Sequence, residues 1–593
     1  MKIKIAIFLF VPIIALSSCS SKAMISFASA SKTFQTMYDD SYFLLDNGTY
    51  HEEISLASYA TSMASIKTTG EFVERSSFLL DLWKKEGFSN FYISQNYKEE
   101  PGLDTIGFAI ASKQINRENQ SFNLIAIAVR SGGYGAEWAS NFTVGKTGNS
   151  QGFDDASNKV LAGILKYLSN NSISGHTKFW LSGYSRGGAT ANMAAGKLLD
   201  TIEAGELNPS VNSTYEDVYA YCFEPPAGAF ISQGQAEKKL YQGVHNLLNF
   251  NDLIPLVVPY QWGFTRYGHD HYYPDRLTDI FFDKSERKKL ISNYHFEAGG
   301  HKYTDYTVDD WNFVDPGSDY TEIANLPRES LHPSLGRFMH GLMNEFIKVI
   351  IDRNMYSDHL ELGLRAMFAT TEGLNPELGD KPIDMGSIIN TISQYPFIRV
   401  LLLEILEGNT ASFVLDSKFL FYELFDYNEK NAKAVEDLYI MNFFTLYLFV
   451  ECFNTRKDLA LQLFNRDNLL GLIQCHYTEL NYSFTKSCDT RLYGKKACKL
   501  NDGSYRILHV KNPSSFTIYE SQLKKNIFTF ANGKMSSDCV SAERMANGDI
   551  NIYLPNNGLY TYQGESESIS LTKMTAKGVE TGFLSNLPLT GTL

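Results

Sequence analysis

The chain has 593 residues, 44% of them hydrophobic and 13% aromatic, which is enough apolar material for more than one buried core and excludes a disordered chain. Acidic side chains outnumber basic ones by 66 to 53, for a net charge of -13. With no long basic run, nucleic acid is excluded as the expected partner.

The N-terminus reads as a targeting segment over residues 1–18. Lys2 and Lys4 form a positive region and Ile5 to Leu16 an apolar one, shorter than the roughly 20 residues a membrane-spanning helix needs. Leu16-Ser17-Ser18-Cys19 resembles the lipobox of bacterial lipoproteins, which implies that Cys19 is lipidated and anchors the mature chain to a membrane of the cell envelope. The alternative is an ordinary secretory signal with a chance cysteine. Either way the protein is expected to be exported.

Beyond the signal, apolar runs at Asp104 to Ala111, Leu124 to Val129, Phe179 to Leu181, Val218 to Phe223 and His245 to Phe250 read as buried strands. Helical patterns lie between them, at Ala156 to Leu168 and from Gly188 to about Leu199. Alternation of this kind predicts an α/β core over residues 19–273, a mostly parallel sheet covered on both faces. Residues 274–470 change to long helical patterns, at Leu335 to Ile351, Ile383 to Leu406 and Leu438 to Phe453, and are expected to form a helical cap insertion. The last of these carries Asn442, Thr445 and Glu451, so it reads as a buried cap helix rather than a membrane span. Residues 471–500 return to the core. Short alternating segments from 501 to 593, separated by Asn-Gly pairs at 532, 547 and 557, predict a small all-β, sandwich-like domain.

Six cysteines follow Cys19: Cys222, Cys452, Cys475, Cys488, Cys498 and Cys539. In an exported protein some are expected to pair, most readily within the cluster that runs from Cys475 through Cys488 and Cys498 to Cys539, with connectivity left open. No Cys or His spacing fits a zinc site, so neither a structural metal nor a cofactor is expected.

Gly183-Tyr184-Ser185-Arg186-Gly187 carries the chemistry. It follows an apolar run and opens into Gly188-Ala189-Thr190-Ala191-Asn192-Met193-Ala194-Ala195, so it reads as strand, sharp turn and helix, the pattern of a nucleophile elbow with Ser185 as nucleophile. A serine hydroxyl needs a base to take its proton and a carboxylate to orient that base. Asp252, at the end of an apolar strand and just before Pro255, is the candidate acid. The alternative is a turn aspartate at the strand end.

These residues together with Tyr221-Cys222-Phe223-Glu224-Pro225-Pro226, Asn249-Phe250-Asn251-Asp252-Leu253-Ile254-Pro255 and Trp262-Gly263-Phe264-Thr265-Arg266-Tyr267-Gly268 resemble bacterial lipase-like proteins related to class 3 lipases. The resemblance covers about residues 104 to 268 and implies an α/β-hydrolase-like core with Asp252 as the triad acid. Class 3 lipases place the histidine about fifty residues beyond the acid, which points to His301. Cys475-His476-Tyr477-Thr478-Glu479-Leu480-Asn481-Tyr482 resembles the His-x-x-Glu-x-x-Tyr segment that closes the bacterial catalytic domains, and makes His476 the preferred base. His332 and His340 are further alternatives. For the oxyanion hole, the backbone N–H of Arg186 follows the nucleophile, and Arg130-Ser131-Gly132-Gly133 resembles the family's Arg-Gly-Thr or Arg-Gly-Gly segment, so Ser131 or Gly132 is the second expected donor. Its alternative is a plain glycine-rich turn. Tyr134, Glu137, Trp138 and Asn141 fit the same loop as support or cleft wall.

The expectation is an exported serine hydrolase, lipase or esterase, acting on a lipid or other acyl ester through Ser185, His476 and Asp252. The alternatives are a non-catalytic surface lipoprotein that uses the fold as a binding scaffold, and an esterase of acylated polysaccharide.

Overall fold

The computed structural model describes residues 21–26, 33–66, 76–98, 105–117, 120–131, 137, 139–282, 297–298, 301–302, 326–350, 353–356, 361–363, 365–366, 401, 403–404, 406–463, 468, 471–472, 474–488, 499–578 and 580–593. The expected signal segment with Cys19 lies outside them, as do Gly132, Tyr134, Trp138, Cys498 and most of the expected helix from Ile383 to Leu406.

An antiparallel hairpin, β1 (Ser21–Ser26) with β2 (Thr33–Tyr38), precedes the central sheet. That sheet contains β3 (Ser89–Ile93), β4 (Phe108–Arg117), β5 (Gln120–Val129), β6 (Gly175–Tyr184), β7 (Val211–Asn212), β8 (Val218–Phe223), β9 (Val244–Leu248) and β10 (His269–Tyr272). Its order is β10-β9-β8-β6-β5-β4-β3, with β7 beside β6. From β5 to β10 the pairs are parallel, while β3, β4 and β5 are antiparallel, so the sheet is mixed. Such a sheet with helices on both faces suits an α/β-hydrolase-like core.

Side chains alternate across the sheet and fill two separate cores. Trp180, Tyr184, Tyr219, Tyr221 and Phe223 face one side, with Tyr59 and Ala60 of α1 (Glu52–Ser65). Phe179, Leu181, Val218, Ala220 and Cys222 face the other, under α2 (Gln151–Asn170) and α3 (Arg186–Glu203). In α2, Phe153, Ala156, Val160, Ile164, Tyr167 and Leu168 recur at helical spacing and are all buried.

The longest described helices of the expected cap region are α4 (Leu335–Val349), α5 (Thr410–Leu424) and α6 (Ala432–Thr455). Two features differ from the sequence reading. Helix α6 is not buried all round: Leu438, Leu448, Val450 and Cys452 face inward, but Ile440, Phe443 and Tyr447 are exposed. Residues Pro327–Leu331, expected to be part of a helical insertion, form a strand antiparallel to Ser541–Met545. This strand has no alternating apolar pattern of its own, because it sits at the edge of a sheet whose other strands supply the core. Among the described residues no helix is long and apolar enough to cross a membrane.

The C-terminal segment forms two antiparallel sheets, one six-stranded including Pro327–Leu331 and one five-stranded. Between them lie Leu508, Val510, Phe516, Ile518, Phe528, Ile552 and Leu571. Asn532 and Gly533, at φ 52° and 74°, form a two-residue hairpin between Ala531 and Lys534, where a primed turn needs positive φ at both places. Cys222, Cys452 and Cys539 are free thiols, while Cys498 of the cluster expected to pair lies outside the described residues.

Candidate active site

β6 ends at Tyr184 and α3 begins at Arg186, so Ser185 alone makes the turn between them. Its backbone has φ 56° and ψ -126°, a costly conformation for a residue with a Cβ. The turn is held by the Ser185 N–H, which donates to the Phe223 carbonyl at 2.8 Å. A Cβ at Gly183 would lie 2.2 Å from the Gly187 carbonyl oxygen, and one at Gly187 would lie 2.7 Å from that of Val129. Neither position admits a side chain. The turn therefore presents the serine hydroxyl at the C-terminal edge of the sheet, the N-terminus of α3 beside it.

Asp252 follows β9, in a turn closed by its own N–H to the Asn249 carbonyl at 3.0 Å. The side chain is buried, and its Oδ1 accepts the Ile254 N–H at 2.9 Å. His476 lies just before α7 (Thr478–Ser487). Its Nδ1 is 2.5 Å from Asp252 Oδ2 and its Nε2 is 2.8 Å from Ser185 Oγ. A carboxylate only accepts, which puts the imidazole proton on Nδ1 and leaves the Nε2 lone pair for the serine hydroxyl. The imidazole is 17% exposed while the Asp252 side chain is fully covered, so access to the group is from the histidine side.

Four side chains not singled out in the sequence hold this histidine segment in place. The Tyr184 hydroxyl donates to the His476 carbonyl at 2.9 Å and accepts from Asn481 Nδ2 at 2.7 Å. Asn249 Nδ2 donates to the Cys475 carbonyl at 2.9 Å, and the Tyr59 hydroxyl to that of Thr478 at 2.5 Å. Burial pushes the Tyr184 phenol well above its ordinary range, so it stays a neutral donor. The only sequence sign of Tyr184 and Asn481 is adjacency to Ser185 and His476; Tyr59 gives none.

The other named residues lie as follows. Arg186 turns its guanidinium to Asn141 Oδ1 at 3.0 Å and the Thr105 carbonyl at 3.3 Å, while its backbone stands at the first position of α3. Ser131 is buried just beyond the end of β5, whose Val129 carbonyl Gly187 abuts. Arg130, next to it, pairs with Glu137 at 2.5 Å, both side chains wholly buried. Burial raises the Glu137 carboxyl above its usual range, against the opposing pull of Arg130. His301 belongs to a short hairpin, Glu297–Ala298 with His301–Lys302. His332 bonds the Ser537 carbonyl, and His340 is buried against the Phe250 ring. Among these candidates it is His476 that adjoins Ser185.

A hydroxyl, imidazole and carboxylate in line can move a proton off the serine and return it to a leaving group. No family model matches the chain, and no curated protein matches it. Similar solved structures include a Rhizomucor miehei lipase propeptide complex, 18% identical with a TM-score of 0.27 over 38% of this chain and 70% of that one. A triacylglycerol lipase whose catalytic centre is described as a serine protease triad is 17% identical, at TM-score 0.27 over 38% and 83%. A lipase from Rhizopus microsporus var. chinensis is 14% identical, at TM-score 0.25 over 38% and 75%. Likenesses this weak add nothing to what the geometry of the site itself says.

Proposed function

We propose that the chain is an exported serine hydrolase that cleaves acyl esters. Ser185 attacks the acyl carbon, His476 takes the hydroxyl proton at Nε2 and passes it to the leaving alkoxide, and Asp252 fixes the imidazole and balances its positive charge. Water then releases the acyl group from Ser185 by the same steps in reverse. Backbone N–H groups of Arg186 and of Ser131 or Gly132 stabilise the tetrahedral oxyanion, each worth about 3–4 kcal/mol in the transition state. The observation that supports this reading above any other is the unbroken contact series from Ser185 Oγ through His476 to Asp252.

A lipid ester is the favoured substrate class. The exposed Leu415, Phe419, Ile440, Phe443 and Tyr447 on α5 and α6 support it, as apolar side chains that a lipid surface would cover. Export and anchoring through Cys19 place the enzyme at the cell envelope. Ser185→Ala is expected to abolish hydrolysis of short p-nitrophenyl esters and labelling by a fluorophosphonate. An unlabelled wild-type protein would instead favour a binding scaffold.

A further inference from the structure

Glu224 immediately follows β8, which ends at Phe223. It is fully buried, and its backbone has φ 48°, in the left-handed region. The Glu224 N–H donates to the Leu247 carbonyl at 2.8 Å, and its two carboxyl oxygens share one donor, the Asn249 N–H, at 2.8 and 3.1 Å. Asn249 ties the two acids together: its N–H holds the Glu224 carboxyl while its carbonyl accepts the Asp252 N–H at 3.0 Å, so both acids are fastened to one buried turn.

Two ionised carboxylates cannot bond to one another, since each only accepts. A hydrogen bond between them requires one proton. The donors around the pair decide which group carries it. Asp252 accepts two N–H groups on separate oxygens, Ile254 on Oδ1 and His476 on Oδ2. Glu224 has one N–H spread over both oxygens. The Arg266 guanidinium is committed to Asp270 at 2.9 Å and to the carbonyls of Pro225 at 2.5 Å and Pro255 at 2.8 Å. The other groups facing Glu224 are the phenols of Tyr184, Tyr272 and Tyr273, all pushed upward chiefly by burial and hence neutral.

We propose that Glu224 is a protonated carboxylic acid at neutral pH and donates its proton in a hydrogen bond to Asp252, acting as a positioning residue for the carboxylate that orients His476. Burial, and after it the negative charge of Asp252, lift the Glu224 carboxyl well above the usual carboxylate range, in line with this geometry. The bond fixes the Asp252 rotamer and disperses part of its charge. It thereby limits how strongly Asp252 holds the imidazolium that forms during turnover. A buried neutral donor does this without adding a second negative charge beside the acid.

The role of this bond in turnover rests on the serine-hydrolase reading, but the location of the proton does not, and two measurements separate them. Infrared spectra of the full-length wild-type protein at neutral pH, minus those of Glu224→Gln, should show the carbonyl stretch of a protonated acid. No such band means that Glu224 is ionised and overturns the proposal, whether or not the protein hydrolyses esters. The second measurement is the pH–rate profile on a p-nitrophenyl ester. Glu224→Leu removes the donor, leaves Asp252 more negative, and should move the acid limb to higher pH by roughly half a unit to one unit with a fall of about tenfold in rate. Glu224→Gln restores a neutral donor and should bring the limb back to its wild-type position and recover most of the rate. A limb displaced to lower pH by about one unit in Glu224→Gln would mean that a negative charge had been removed, and overturns the proposal. So would a limb that stays at the wild-type position in a folded Glu224→Leu protein.

Discussion

At the scale of single residues, the site divides into groups with local signatures and groups without. Ser185 stands out because an elbow needs Gly183, Gly187 and a small-residue helix within a few positions, all readable along the chain. Asp252 stands out by its place after an apolar strand. His476, 224 positions further on, has only a short resemblance to mark it, since nothing local says that a histidine far along the chain returns to Ser185. Glu224 has no functional signature at all, because its behaviour depends on burial and on a neighbour from another strand. The Arg130–Glu137 pair is a similar case. Its partners are only seven positions apart, but their complete burial is a tertiary property. Glu137→Ala leaves the Arg130 charge buried with its carboxylate removed and should cost about 3–5 kcal/mol in urea unfolding. Glu137→Gln, which keeps an acceptor, should cost less. A loss below about 1 kcal/mol for the alanine variant would show that the pair is not the compensation that Arg130 depends on.

At the scale of elements, strands flanking the elbow were legible because parallel strands buried on both faces are continuous apolar runs. Polar strands were not. β10 is His269-Asp270-His271-Tyr272, which no apolar pattern marks, and it joins the sheet by pairing in parallel with β9. What it brings is a pair of adjoining imidazoles, His245 and His271, with ring centres 5.2 Å apart and planes tilted by 34°. His245 Nε2 bonds the Asn47 carbonyl at 2.8 Å, so that nitrogen carries the proton, and Nδ1 accepts from His271 Nε2 at 3.0 Å. His245, with one nitrogen donating and the other accepting, must therefore be neutral. Burial, then the neighbouring His271, brings His245 down to about 3; burial, then His269, brings His271 down to about 4. An unfolded histidine titrates near 6.5, so below that pH the unfolded chain binds protons that the folded one does not, and stability falls. The contribution is complete above about pH 7 and is lost on acidification toward pH 3. For His245 the loss between pH 7 and 5 is about 2 kcal/mol. Urea unfolding at the two pH values should show the wild type losing about that much more than His245→Gln. Equal losses in both proteins would rule the pair out as an acid-sensitive element.

At the scale of the whole molecule, the C-terminal sheets are not an appendage to the hydrolase-like core. Leu248, Phe250, Tyr272 and Leu277 from the core share one apolar cluster with Tyr505, Tyr553 and Met574. Tyr272 and Asn501 exchange two backbone hydrogen bonds at 2.9 Å, and Arg337 of α4 pairs with Glu543 at 3.0 Å. Phe250, whose ring lies 6.0 Å from that of Tyr505, is two residues before Asp252. The strand that carries the acid is thus braced by the C-terminal segment, a connection that composition shifts along the chain do not reveal. Tyr505→Ala opens a cavity at that brace and should cost about 3–5 kcal/mol. Ile527→Ala, in the cluster between the two C-terminal sheets, should cost about 2–5 kcal/mol. The two variants differ in what they do to catalysis. With ester hydrolysis measured per folded molecule at low temperature, Tyr505→Ala should lose rate because the Asp252 turn loses its support, whereas Ile527→Ala should not. If both retain the wild-type rate, the Asp252 turn is held by the core alone, and the C-terminal sheets contribute only to stability.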